Sequence, residues 1–136
     1  MPVPRIRGQV TGTTKGGINV SRAFSADTGR IDSIFAQTLL GTTIQNFTFD
    51  FDVLGSLTNK SDLRRGLAEN FYYDGLNRLT SVTGSSSLTM SYDGLGNITS
   101  KSDIGSYTYT AGSKPHAVTN AGGVGVHQNP LVAFAN

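Results

Sequence analysis

Apolar and polar residues alternate in five short segments of this chain, and each segment ends in an aromatic residue. The segments cover 18–24, 47–51, 71–73, 88–92 and 107–109. In the clearest of them, Phe47, Phe49 and Phe51 are separated by Thr48 and Asp50. A period of two puts the apolar residues on one face of a β-strand. We therefore predict a strand in each segment. In the last four segments the final inward residue is aromatic, and we expect these rings to stack as a ladder across neighbouring strands.

The residues that follow these aromatic anchors also recur. Residues 73–81 (YDGLNRLTS) and 92–100 (YDGLGNITS) match position by position once Gly96 is allowed as an extra turn residue. Fainter copies begin at Phe51, at Phe24 and at Tyr109, so the five anchors are spaced 27, 22, 19 and 17 residues apart. Recurrence at about this spacing indicates a fold built from consecutive, similar structural units.

Each copy is typical of a strand, a tight turn and a second strand. The tyrosine can bury its ring while its hydroxyl reaches a partner at the edge of the apolar face. The aspartate can accept a bond from the backbone N–H two residues on and so close the turn. Glycine permits conformations that other residues resist, and asparagine is the next best residue at positive φ. The structural motif residues are Phe51, Asp52, Tyr73, Asp74, Gly75, Asn77, Tyr92, Asp93, Gly94, Asn97 and Tyr109.

On these residues the chain resembles the RHS/YD-repeat family. The segment 114–119 (KPHAVT) also resembles a stretch common in bacterial members, and the likeness covers roughly 18–123, most strongly 71–119. The resemblance implies an all-β fold in which tandem repeats form one continuous, twisted antiparallel sheet, as a partial shell or spiral wall. In many bacterial secreted toxins of the family such a shell encloses a toxic C-terminal domain. Related repeats occur in toxin complexes and in teneurin-type adhesion proteins of animals.

The remaining segments set the expected domain boundaries. Residues 1–17 read as a flexible lead-in, 18–119 as the repeat sheet, and 120–136 as a Gly-rich irregular tail with a short apolar end. The apolar run 31–40 favours a strand because of its β-branched neighbours. Residues 62–70 have some helical character, but Gly66 in the middle favours a loop or a β-turn.

Composition narrows the function classes. The formal net charge is only +2 and the bases are scattered, which gives nucleic-acid binding little support. There is no cysteine, so disulfides, thiol catalysis and Cys-type zinc sites are excluded. The N-terminal residues contain no apolar run, so we expect neither a signal peptide nor a membrane span, and export would need another route or an upstream region.

The sequence gives little support to metal binding, catalysis, sugar binding or phosphate binding as alternatives to a structural role. Calcium needs six to eight oxygens, whereas each turn offers one aspartate and one asparagine, so turn closure is favoured and no metal or cofactor is expected. His116 and His127 lack a nucleophile elbow and are interpreted as turn or surface residues. Tyr72, Tyr107 and Tyr109 could stack on a sugar, but packing against the next repeat is favoured. The Gly pairs at 16–17 and 122–123 are not followed by Gly-Lys-Ser/Thr and do not predict a phosphate loop.

We therefore expect a structural, non-catalytic wall segment that encloses or presents another polypeptide, as in a toxin-delivery shell. The alternative is a self-assembling extracellular filament or adhesin subunit built by pairing of open sheet edges. The expected partner is protein, either a copy of this chain as a homo-oligomer or the rest of a larger shell, with carbohydrate a minor alternative. From the resemblance, the expected location is secreted or at the cell surface.

Overall fold

The computed structural model describes residues 8–110 and 112–125. Within them the chain forms β-strands joined by short turns and no helix. No stretch of the described chain is therefore a helix long and apolar enough to cross a membrane. The strands are β1 (Gly12–Lys15), β2 (Ile18–Phe24), β3 (Ile31–Thr38), β4 (Thr43–Phe51), β5 (Leu57–Asp62), β6 (Leu67–Tyr73), β7 (Leu79–Gly84), β8 (Leu88–Tyr92), β9 (Ile98–Lys101), β10 (Gly105–Tyr109), β11 (Val118–Ala121) and β12 (Val124–Gly125).

These strands follow one another in chain order in one antiparallel sheet. The predicted all-β antiparallel fold is confirmed, and each of the five alternating segments lies in a strand. The run that begins at Ile31 is β3, and residues 63–66 form the β-turn between β5 and β6. Twist and closure into a shell stay predictions.

Backbone contacts divide the chain into two units. The first contains 1–72 and 82–86, and the second contains 73–81 and 87–136. In the first unit, Ala36 and Val82 are buried, and Phe47 and Phe49 meet edge to face with ring centroids 6.2 Å apart. The Lys60 ammonium lies 5.4 Å from the Phe47 centroid. Most other strand residues are half-buried, as expected of a sheet that packs mainly through neighbouring strands.

Strands β1 and β12 and the end of β11 lie where the sequence favoured irregular chain. Strand β1 falls inside the predicted lead-in 1–17, because Gly16 and Gly17, both at positive φ, form the two-residue turn that pairs Lys15 with Ile18. Strands β11 and β12 extend the sheet to Gly125, past the predicted boundary at 119. The rest of the predicted tail, 126–136, lies outside the described residues, and so does His127.

The repeat turns as the candidate functional site

Each repeat has the same backbone plan at its turn. The anchor ends one strand, and the next residue donates its N–H to the carbonyl oxygen where the return strand begins. This bond measures 2.8 Å at Ser25, 3.0 Å at Asp52, 2.9 Å at Asp74, 2.9 Å at Asp93 and 3.0 Å at Thr110. The loops between anchor and return strand differ in length, and the longest lies between Tyr109 and Val118. The faint copies at Phe24 and Tyr109 therefore share the architecture of the clear ones.

The aromatic anchors lie at irregularities in strand pairing. The register shifts immediately before Phe24, Phe51, Tyr92 and Tyr109. A β-bulge at this point bends the strand and redirects the side chain that follows it. The sequence does not reveal these bulges, since alternation of apolar residues continues through them.

The aspartate after the anchor holds the turn together. Asp74 Oδ1 accepts the N–H of Leu76 at 2.9 Å and of Arg78 at 3.0 Å, while Oδ2 accepts Arg78 Nε at 2.7 Å. Asp93 is bonded in the same way, with Leu95 and Asn97 in the equivalent positions. These are the turn-closing bonds that an aspartate at this place can make.

The hydrogen bonds lower the pKa of each turn carboxyl from its usual value. The backbone N–H of Ser56 is the main cause for Asp52, and the backbone N–H of Arg78 is the main cause for Asp74. For Asp93 the main cause is the side-chain amide of Asn97. Donors that bond only the charged form favour that form, so all three turns hold a carboxylate at neutral pH.

The left-handed position of the turn differs from the sequence expectation. Neither Gly75 nor Gly94 has a positive φ, and Asn97 has none either. The positive φ falls on the third residue after the aspartate, which is Gly55 (95°), Asn77 (61°) or Gly96 (89°). Asn77 therefore corresponds to Gly96, and Gly96 is not an insertion. The error arose because the two asparagines were matched by identity, whereas the backbone requires a residue that tolerates the left-handed region.

With that alignment, Arg78 and Asn97 occupy the same place, and both reach the following repeat. Arg78 Nη1 donates to Asp93 O at 3.2 Å, and its guanidinium lies 4.7 Å from the centroid of the Tyr92 ring. Asn97 Nδ2 donates to Pro115 O at 3.2 Å. In the first unit, Arg30 Nη1 donates to Asp52 O at 2.7 Å. Sequence reasoning missed this role, although an arginine four residues after the turn aspartate was a visible signal.

The tyrosine anchors bond in the opposite direction along the chain. Tyr92 Oη donates to Leu79 O at 2.7 Å, and Tyr109 Oη donates to Ile98 O at 2.7 Å. Leu79 and Ile98 are equivalent positions at the start of each return strand. Each of these two tyrosine anchors therefore forms a hydrogen bond to the repeat before it. Arg78 and Asn97 form hydrogen bonds to the repeat after them.

His116 belongs to the same set of contacts. It lies in the turn before β11, with Nδ1 2.5 Å from Asn97 Oδ1. Because the Asn97 amide nitrogen donates to Asp93 Oδ2 and Pro115 O, its oxygen is the acceptor and His116 Nδ1 is the donor. The side chain of buried Asn97 thus uses both of its polar atoms, and two of its three side-chain bonds link the turn at 93–97 to Pro115 and His116.

Metal coordination has little geometric support in the described part of the chain. No group of three or more His, Asp or Glu there could hold a metal ion. Asp103 is paired with Lys101 at 2.8 Å.

Comparison with known proteins gives a match to one family model and to solved structures of large assemblies. Residues 73–114 match the model of the RHS repeat. A crystal structure of TcdB2–TccC3–Cdc42 superposes with a TM-score of 0.62 and 16% identity, over 75% of this chain and 7% of that one. The holotoxin pore of the Photorhabdus luminescens Tc toxin, with a mutation in TccC3, gives 0.56 and 15%, over 76% and 6%. The chain thus spans less than a tenth of either structure, and at these identities the likeness shows the fold alone. No curated protein matches the chain.

Proposed function

We propose that this chain, which carries an RHS repeat, is a structural wall segment that encloses or presents another polypeptide, as part of a toxin-delivery assembly. One observation carries the proposal: the recurring polar side chains of the repeat bond to neighbouring repeats. Tyr92 and Tyr109 bond the preceding return strand, and Arg78 and Asn97 bond the following turn. Residues used in this way make a continuous wall, and its work is mechanical and non-catalytic.

The toxin assemblies among the similar structures support the same role. One of them is the holotoxin pore of the Photorhabdus luminescens Tc toxin, and the other contains TccC3, which is also part of that holotoxin. A secreted or surface location and a larger protein partner follow from that likeness as part of the proposal. The motif residues from Phe51 to Tyr109 then act as structural residues, with no ligand of their own.

The wall role is tested by electron cryo-microscopy of the longest natural polypeptide that carries this chain, combined with limited proteolysis. We expect the strands described above to continue into flanking repeats that surround protease-resistant polypeptide. The proposal would be contradicted if the sheet enclosed no polypeptide and if all segments outside the sheet were digested at the rate of an unfolded chain.

A second candidate is a filament or adhesin subunit that assembles by pairing of sheet edges. Its support is strand β1, whose residues are all exposed. The bond from Arg22 N–H to Thr11 O fixes the alternation of hydrogen bonds with β2, so the backbone N–H and C=O groups of Gly12 and Thr14 point away from β2. Such groups are a template for another strand.

Proline at one outward-facing position tests this alternative. Thr14→Pro removes an outward N–H without removing a bond to β2, so the fold should survive, as checked by circular dichroism. If edge pairing drives assembly, the wild-type chain forms ordered fibres in electron micrographs and Thr14→Pro forms none. Fibres that persist in Thr14→Pro would exclude β1 as the assembling edge.

A further inference from the structure

Strand β4 connects two turns that are built alike. At its start, Thr38 N–H donates to Thr42 O at 2.9 Å, and Gly41 N–H donates to Thr38 O at 3.0 Å. At its end, Asp52 N–H donates to Ser56 O at 3.0 Å, and Gly55 N–H donates to Asp52 O at 3.1 Å. Gly41 and Gly55 both have positive φ, at 84° and 95°. Both turns are three-residue loops whose last residue is left-handed.

A side chain closes each of these turns in the same way. Thr38 Oγ1 accepts the N–H of Thr42 at 3.1 Å, and Asp52 Oδ1 accepts the N–H of Ser56 at 2.9 Å. Glycine, threonine and aspartate satisfy the backbone here, as turn chemistry requires. The conformation of both turns is therefore fixed by local hydrogen bonds, and the side chains of the two residues at each tip do not contribute to these bonds.

Both tips carry a pair of large apolar residues in water. Leu39 and Leu40 are 66% and 95% exposed, and Val53 and Leu54 are 95% and 75% exposed. The central positions of such turns usually hold polar residues, which makes these two pairs exceptions. Apolar groups held outward by an ordered turn mark an interaction surface more strongly than a single exposed leucine does.

The charges around the two tips have opposite sign. The basic rim consists of the turns 16–17, 38–42 and 63–66 of the first unit, with exposed Lys15, Arg64 and Arg65 and with half-buried Asp62. The acidic rim consists of the turns 25–30 and 52–56. It carries exposed Asp27, Asp32 and Asp50 together with Asp52, against one arginine, Arg30. Between the rims, Lys60 and Glu69 neutralise each other at 3.5 Å.

We propose that the basic rim of one copy of this chain docks on the acidic rim of a second copy, with the Leu39–Leu40 tip against the Val53–Leu54 tip. The partner is identified by complementarity, since each rim presents an apolar pair on the same turn and the opposite charge. The contact is head-to-tail and leaves one rim unused at each end, so further copies can add. It joins strand ends, whereas edge pairing joins strand sides, so it goes beyond the function proposed above.

Sedimentation velocity of the full chain and two tip variants tests this contact. The variants are Leu39→Ser/Leu40→Ser, which disables the basic rim, and Val53→Ser/Leu54→Ser, which disables the acidic rim. We expect the wild type to self-associate with rising concentration, and each variant to do so at least about tenfold more weakly. A mixture of the two variants should form a heterodimer and no larger species, because each still carries the rim that the other lacks.

The matched control is Leu76→Ser/Leu95→Ser, which changes two exposed turn leucines that belong to neither rim. Its association should equal that of the wild type. A second series exchanges the charges. Arg64→Glu/Arg65→Glu should not associate with itself, because both of its rims are then acidic, and Asp27→Lys/Asp50→Lys should not associate with itself, because both of its rims are then basic. The two charge variants should associate with each other. High ionic strength should weaken the wild-type contact.

Several results would overturn the proposal. These are a wild type that stays monomeric at every concentration, a mixture of tip variants that stays monomeric, and a control that loses association equally. Loss of association in Thr14→Pro alone would assign assembly to the edge of β1. None of these results bears on the wall role, which depends on contacts between consecutive repeats within one chain.

Discussion

The aspartate of the repeat turn gathers three donors on one side chain. In Asp74 and in Asp93, backbone N–H groups bind one carboxylate oxygen and a side chain binds the other. The turn is therefore stabilised by the charged form of the carboxyl, which links the stability of the sheet to pH.

This linkage has a definite sign. The folded-state pKa of Asp52, Asp74 and Asp93 lies below the usual value of 3.8. Their contribution to stability is therefore fully present above that value, and it is lost as the pH falls through the lower folded-state pKa. We expect the urea midpoint of the wild type to decrease below about pH 4, and that of Asp74→Asn/Asp93→Asn to decrease less.

The control for this experiment is Asp32→Asn, an exposed aspartate on β3 outside the repeat turns. Its pH profile should keep the wild-type shape. If the profile of Asp74→Asn/Asp93→Asn also keeps that shape, the carboxylates do not contribute through their charge. Glu69, whose pKa is lowered mainly by its bond from Ser86, leaves some acid sensitivity in every variant.

Among single residues, sequence reasoning singled out the anchors and the turn aspartates but misplaced the left-handed residue. Turn aspartates follow from local hydrogen-bond chemistry, which a short stretch of sequence contains. The positive φ of Asn77 and Gly96 depends on how many residues separate the aspartate from the return strand, and that count was obscured by the matching asparagines.

At the scale of the element, two kinds of glycine serve the strands and turns. Gly84, at the end of β7, has a φ of 109°, and a methyl group there would overlap the carbonyl oxygen of Ala68. Gly75, in the turn after Tyr73, has no positive φ, and a methyl group would meet no atom within 4 Å. The chain thus offers a matched pair of substitutions.

We expect Gly84→Ala to lower the free energy of unfolding by about 2 kcal/mol or more, because the strained backbone and the overlap act together. Gly75→Ala should change it by no more than about 0.5 kcal/mol in either direction. Urea denaturation followed by circular dichroism measures both. Equal effects at the two positions would mean that the motif glycine at 75 has a backbone role that its conformation does not reveal.

The strands were the most predictable elements. Alternation in 18–24 and 47–51 predicts β2 and β4 because a half-buried sheet imposes a period of two. Strand β1 was not anticipated, since Gly12–Lys15 is exposed throughout and carries no apolar alternation. The bulges before Phe51 and Tyr92 were also invisible, because a bulge changes the pairing of strands while the residue pattern continues.

At the scale of the whole molecule, hydrogen bonds to the aspartates close the described repeat turns, so we expect the fold to be stable without a metal ion. The carboxylate of Asp74 already accepts three N–H donors, and so does that of Asp93, so calcium would compete with these donors for most of each carboxylate. We therefore expect the melting temperature to stay within about 2 °C of its value when a chelator or millimolar calcium is added, since binding to the folded state would raise it.

Differential scanning calorimetry with calcium, with magnesium and with chelator makes this measurement. Magnesium is the control for a general effect of ionic strength. A rise in melting temperature with calcium alone would show that the turns bind the ion, and Asp74→Asn/Asp93→Asn would then locate it.

The bond from Arg78 to Asp93 O and the bond from Asn97 to Pro115 O each connect one repeat to the next along the chain. Arg78 reaches the short turn at 93–97, whereas Asn97 contacts the longer turn that contains His116. The residue at this position thus matches the length of the turn in the next repeat. A duplicated repeat therefore keeps this bond only when the turn that follows it is copied with it.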